Sequence, residues 1–177
     1  MGLSEADTCR RFVLHKLAAA GWDSEPHSIA EQRTFTDGRI FVVGSKTGRR
    51  KQKRADYLLR YTPDIALAVV EAKAEFKLPG DGLQRAKDYA ETLGLKFAYS
   101  TNGSGIIEFD DLTGAEREVE TFPTPDELRL RLRAKSKLSK EATERLLLPG
   151  LNTPGKTPRY CQEIAINRAM EHILSGK

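Results

Sequence analysis

With 177 residues, 39% of them hydrophobic and 31% charged, the chain is long enough for one medium domain with its own core and a short remainder. Its two cysteines, Cys9 and Cys161, lie far apart without CxxC or Cys/His spacing, which excludes a disulfide framework or zinc site and points to a cytoplasmic setting. No apolar stretch nears the roughly 20 residues needed to span a bilayer, and Glu5 and Asp7 break the basic-then-apolar order of a signal peptide, so membrane roles are set aside.

In chain order, Ser4 suits a helix N-cap, after which Phe12, Val13, Leu17 and Ala20 recur at helical spacing until Gly21 ends the run. Glu5 sits in the first turn, where it either favours the helix dipole or lends a carboxylate to a metal site. Arg39 to Val43, Tyr57 to Tyr61 and Ile65 to Ala72 read as strands. The net charge of +4 is unevenly spread: Arg49, Arg50, Lys51, Lys53 and Arg54 put five cations in six residues, in a loop opened by Gly44, Ser45 and Gly48. Such a loop either holds DNA phosphates through a salt-sensitive contact or is simply solvated. Leu83 to Leu93 reads as a helix stopped by Gly94, and Lys96 to Ser100 and Gly105 to Phe109 form a hairpin around Thr101-Asn102-Gly103-Ser104. A further helix starts at Asp126, and the basic stretch from Arg129 to Arg145, Arg131 included, reads as helix surface and linker. The expected fold class is α/β, a mixed central sheet flanked by helices.

Gly150 to Thr157 satisfies GxxxxGK[ST], the phosphate-cradling pattern of nucleotide-binding ATPases. Its context argues otherwise. The preceding strand would be only Leu146 to Leu148, Pro158 pushes Thr157 away from helical geometry, and 20 residues remain to build a sheet. A Pro/Gly-rich linker fits better, followed by an amphipathic helix from Arg159 to Leu174.

The chemistry concentrates between Asp56 and Lys73. Along ALAVVEAK the side chains alternate, so Glu71 and Lys73 project the same way, roughly 7 Å apart. The Thr62-Pro63-Asp64 turn folds the preceding strand back, bringing Asp56 within reach of an ion held by Glu71. Phosphodiester cleavage needs a divalent metal, an activated water and a nearby cation, and two carboxylates with one lysine can supply the ligands and the charge. Mg²⁺, with Mn²⁺ as a substitute, would take Asp56, Glu71 and the backbone carbonyl of Ala72. The E-x-K pattern recurs at Glu75-Phe76-Lys77, but only the first copy ends a continuous apolar run from Ala66 to Val70, where burying charge is costly unless it is used. Residue chemistry alone leaves two readings open, a nuclease site and a structural ion pair.

Acid, turn, apolar strand, ExK, helix and further strand in this order resemble the PD-(D/E)xK nuclease superfamily. More closely, SEADTCRRFVLHKLAAAGW, FTDGRIFVVG, KRADYLLRY, VVEAKAEFKLPGDGLQRAKDYAETLGLKFAYSTNG and TPRYCQEIAINRAMEHIL together resemble the start of the restriction subunit of type I restriction-modification enzymes. The resemblance implies that Asp56 and Glu71 are metal ligands and Lys73 the catalytic lysine. It also implies a glutamine-tyrosine motif on the following helix, for which Gln84 and Tyr89 are candidates, although Arg85 stands where the family spacing needs the glutamine. By the same resemblance, residues 1–133 form the endonuclease domain, 134–158 a linker and 159–177 the first helix of an ATP-driven motor, with Tyr160 and Gln162 in its adenine-recognising element. Implied partners are double-stranded DNA and the methylation and specificity subunits, with weak or no cleavage by this stretch alone. A non-catalytic DNA-binding or docking module and a free-standing repair nuclease are the competing readings.

Overall fold

Leu67 to Ala72 is buried throughout, and the fold is built outward from this strand. The computed structural model describes residues 9–35, 40–43, 46–49, 53–135 and helical positions 162, 165, 166, 168 and 169. A π-helical turn, Cys9–Val13, leads into helix α1, Leu14–Ala19. Strands β1 (Ser28–Phe35), β2 (Ile40–Val43), β3 (Lys46–Arg49), β4 (Lys53–Thr62) and β5 (Ile65–Ala72) follow. A 3₁₀ turn, Pro79–Gly82, opens α2 (Leu83–Leu93), and β6 (Phe97–Thr101), β7 (Ile106–Asp110), β8 (Ala115–Val119) and α3 (Pro125–Lys135) complete the described elements.

Six strands form one mixed sheet in the order β1-β4-β5-β6-β7-β8, while β2 and β3 pair as a separate antiparallel hairpin. Only β5 and β6 run parallel, because α2 carries the chain back across the sheet between them. Alternation along β5 splits the core. Ala68, Val70 and Ala72 pack with Val13, Leu17, Trp22, Tyr57, Phe97, Tyr99 and Leu128, so α1 and α3 cover this face. Val69 packs with Leu58 and Ala98 beneath Ala86, Tyr89, Ala90 and Leu93 of α2. Helix α2 stops at Gly94, whose φ of 72° is left-handed as a C-terminal cap requires.

Several expectations need correction. Strands β1 and β8 have no counterpart among the expected elements. Strand β1 pairs antiparallel with β4 and is interrupted at Gln32 (φ 52°), while β8 is an almost wholly exposed edge strand. Neither shows the apolar alternation that betrays a strand, because an edge position needs little burial. The hairpin strands lie one residue further on than expected, at Phe97–Thr101 and Ile106–Asp110. The basic cluster is not one loop: Arg49 ends β3, and Lys53 and Arg54 open β4. Asp56 accordingly lies inside β4, not ahead of it.

Arg131 is likewise no solvated helix residue. It reaches from α3 to β7, where its two terminal nitrogens donate to buried Glu108 at 2.8 and 2.9 Å and one of them to Asp110 at 2.6 Å. Tyr99 Oη and Arg117 Nε also donate to Glu108, at 2.6 and 2.8 Å. Burial pushes the Glu108 carboxyl up, but the hydrogen bonds from Arg131, Tyr99 and Arg117 outweigh it and leave the pKa lowered. Helix α3 begins with a capping box: Thr124 N–H donates to Glu127 Oε2 at 2.7 Å, and Glu127 N–H to Thr124 Oγ at 3.2 Å.

Ser4, Glu5, Arg50, Lys51, the residues 150–157, most of the expected linker and Tyr160 lie outside the described residues. Among those described, no helix is long and apolar enough to cross a membrane.

Candidate metal-dependent nuclease site

The β4–β5 hairpin sets the first pair of groups. Its two-residue turn leaves Thr62 opposite Ile65, and the register Leu58↔Val69, Tyr57↔Val70 continues to place Asp56 across from Glu71. Side chains opposed in this way stand about 5 Å apart at Cβ and share a face. Asp56 Oδ2 also accepts a hydrogen bond from the Ala72 N–H at 2.9 Å, which fixes its carboxylate over the end of β5. Lys73 continues the strand: its N–H donates to Thr101 O at 2.7 Å, and its Nζ lies 3.6 Å from Glu71 Oε2. Nζ further donates to Ala72 O at 3.1 Å, so the carbonyl expected to face a metal already faces a cation of the site.

Helix α2 closes the site from above. A Cβ built on Gly82 would stand 2.7 Å from Ser100 Oγ, 3.0 Å from Lys73 Cε and 3.3 Å from Glu71 Cβ, so only glycine lets the helix start come this close. Its N–H donates to Ser100 Oγ at 3.1 Å, tying that helix start to β6. Ala86 and Tyr89 turn inward from α2 and Gln84 turns out, where its Nε2 donates to Asp88 Oδ1 at 2.9 Å. Gln84 therefore does not join the site. Arg85 does, with its guanidinium 3.5 Å from Glu71 Oε2. In the sequence Arg85 stands out only as a departure from a motif, and its position one turn before Tyr89 is the signal that marks it. Tyr89 is buried edge-to-face against Phe35, with ring centroids 5.0 Å apart, and its pKa is raised by burial and then by the charge of Glu71. Lys53 Nζ lies 5.9 Å from the Tyr89 ring centroid, whereas Arg54 is exposed.

Glu71 carries the electrostatic signature. It is 1% exposed, and its pKa is pushed up to about 7, first by burial and then by the charge of Asp56, with Lys73 and Arg85 partly offsetting both. Its Oε1 is buried and has no hydrogen-bond partner. A buried carboxylate oxygen without a hydrogen bond, in an acid that feels the charge of a second, suits a hard divalent cation with oxygen ligands, so Asp56, Glu71 and the Ala72 carbonyl fit Mg²⁺. The donor set is small: among the described residues no three or more His, Cys, Asp or Glu side chains cluster for a metal, so such an ion would keep several waters. A separate cleft of about 410 Å³ behind α2, lined in part by Lys87, Lys96 and Asp111, contains none of the site acids, and its lysines are paired with Glu116 and Asp111.

A raised carboxylate pKa carries a sign. The stability that Glu71 contributes is complete below the unfolded value of 4.5 and is lost as pH rises through about 7. In metal-free protein, Glu71→Gln is therefore expected to match the wild type near pH 4 and to be more stable by roughly 3 kcal/mol at pH 8. Thermal denaturation in chelator across this range checks it. A gap that fails to widen with pH would mean that Glu71 is not desolvated as described.

No family model matches the sequence. Across 99% of its length, however, the chain is 37% identical to the type I restriction enzyme EcoAI endonuclease subunit of Escherichia coli, of which it covers 22%. Its fold matches, at a TM-score of 0.87 and 55% identity, the solved fragment of an HsdR subunit of a type I restriction enzyme from Vibrio vulnificus YJ016, over 100% of this chain and 34% of that one. Its homologues are the endonuclease (HsdR) subunits of type I restriction enzymes. The helix-flanked mixed sheet matches the solved fragment and is the mixed-sheet α/β fold expected from the resemblance. The chain spans about a fifth of the curated relative and about a third of the solved one. Gln162, assigned by resemblance to adenine recognition, is helical and exposed.

Proposed function

We propose that this chain is the metal-dependent DNA endonuclease part of a type I restriction subunit, cutting unmodified double-stranded DNA after ATP-driven translocation. The observation that carries the reading is the convergence of Asp56, Glu71 and Lys73 at the end of β5, with Glu71 Oε1 buried and unpartnered. Mg²⁺, or Mn²⁺ in its place, would be held by Asp56, Glu71 and the Ala72 carbonyl, and when bound supplies charge neutralisation and a more acidic water. Lys73, the one ammonium placed between Glu71 and the Ala72 carbonyl, orients the attacking water and offsets the charge that builds on the phosphorane. Lys53 and Arg54, at the start of the strand that carries Asp56, contact flanking phosphates together with Arg49, Arg50 and Lys51. ATP is used by a motor whose adenine-recognising element includes Tyr160 and Gln162, and recognition of sequence belongs to the specificity subunit, methylation to its partner.

Mn²⁺ titration by calorimetry tests the reading. The wild-type chain is expected to show a site that disappears in Asp56→Ala, while the melting temperatures of the two proteins in chelator stay within a few degrees. A wild-type chain without an Asp56-dependent site would instead favour a docking module in which Glu71 and Lys73 are a structural pair.

A further inference from the structure

Two arginine–carboxylate contacts in this protein differ in kind. Arg131 grips Glu108 with two hydrogen bonds of 2.8 and 2.9 Å, within the range of charge-assisted pairs. Arg85 stands 3.5 Å from Glu71 Oε2, beyond that range, and its side chain is 57% exposed while Glu71 is 1% exposed. The first contact holds the fold together. The second is longer and joins a solvent-facing side chain to a buried acid.

Charge counting says which anion the site suits. With both acids ionised, Asp56 and Glu71 balance Lys73 and Arg85, and a divalent cation then leaves the site at a formal charge of plus two. That matches the dianionic phosphorane of phosphodiester hydrolysis. Without Arg85 the site would carry plus one, which matches the singly charged ground-state diester. Binding that improves as charge builds is what accelerates the chemical step. Arg85 is also well placed to deliver this charge. It is the third residue of α2, the start of which is brought against Glu71 and Lys73 by Gly82, and a planar guanidinium suits the paired oxygens of a phosphate.

We propose that Arg85 is the phosphate clamp of this site: it rests against Glu71 Oε2 in the absence of substrate and moves onto a non-bridging oxygen of the scissile phosphate when DNA occupies the site. This rests on the nuclease reading above. The same movement leaves Glu71 Oε2 to Lys73 alone while Oε1 stays available to the metal, so Arg85 adds its charge only when substrate is bound.

The test uses Arg85→Gln, which keeps hydrogen bonding and removes charge, with Arg85→Ala and Arg85→Lys beside it. Mn²⁺ affinity is measured on the chain without DNA, and cleavage on the restriction complex assembled with the altered subunit. Expected for the glutamine and alanine variants is an Mn²⁺ affinity equal to or tighter than wild type, with cleavage slowed by about 10²–10³-fold. The lysine variant should recover part of that loss. Cleavage that is unchanged, or that falls in step with weakened Mn²⁺ binding, overturns the proposal, since Arg85 would then be either idle or a mere support for Glu71. A wild-type chain with no Asp56-dependent Mn²⁺ site removes the nuclease reading itself and this inference with it, a result separable from any behaviour of the Arg85 variants.

Discussion

Replacing Lys73 with alanine is expected to stop DNA cutting in the assembled restriction complex, by about 10³-fold or more, while ATP turnover stays near wild type. The ammonium lies between Glu71 Oε2, at 3.6 Å, and the Ala72 carbonyl, at 3.1 Å, with a side chain only 14% exposed, so water cannot stand in for it. Lys73 belongs to neither apolar core cluster, and the strand bond from the residue 73 N–H to Thr101 O survives the change. Arginine should not rescue, since the Lys73 chain already lies 3.0 Å from where a Cβ on Gly82 would stand, and a guanidinium needs more room. Joint loss of cutting and ATP turnover, or cutting that persists, would remove Lys73 from the chemistry.

The second large effect concerns the fold. Arg131→Ala is expected to destabilise the protein by about 3 kcal/mol, because it leaves Glu108, 1% exposed, with only Tyr99 and Arg117 as partners and removes the hydrogen bond to Asp110 Oδ2, leaving that carboxylate the Leu112 N–H alone. The guanidinium also lies 4.7 Å from the Phe97 ring centroid, so packing is lost together with charge. Pairing the change with Glu108→Gln should recover part of the loss, since the stranded charge is then gone. The pH dependence has a definite direction. The Glu108 pKa is lowered from 4.5, so the stability drawn from its ion pairs is present above that value and is lost as pH falls through the folded pKa. The wild type and Arg131→Ala should therefore converge in acid. A melting-temperature difference that persists unchanged below pH 3 would show that the arginine acts through packing alone.

Local pattern was enough for part of this protein. The alternation of ALAVVEAK put Glu71 and Lys73 on one side of a strand, the Thr62-Pro63-Asp64 turn brought Asp56 back toward them, and Leu83 to Leu93 read as a helix because apolar residues recurred until Gly94. Each of these signals spans a dozen residues or so, within the reach of strand and helix periodicity. Strands β1 and β8 escaped because edge strands with one solvated side carry little apolar alternation, and their pairing partners lie elsewhere in the chain. Arg85 and Arg131 escaped for a related reason: an arginine on a helix reads as solvated unless the acid it meets is known. Glu71 lies 14 residues before Arg85 and Glu108 lies 23 residues before Arg131, across a turn in one case and an edge strand in the other. Composition and periodicity thus determined the α/β class and the hairpin that carries the acids. Only the packing of α2 and α3 against opposite faces of the sheet decided which buried carboxylate each arginine meets, because that meeting depends on how whole elements dock and not on spacing within any one of them.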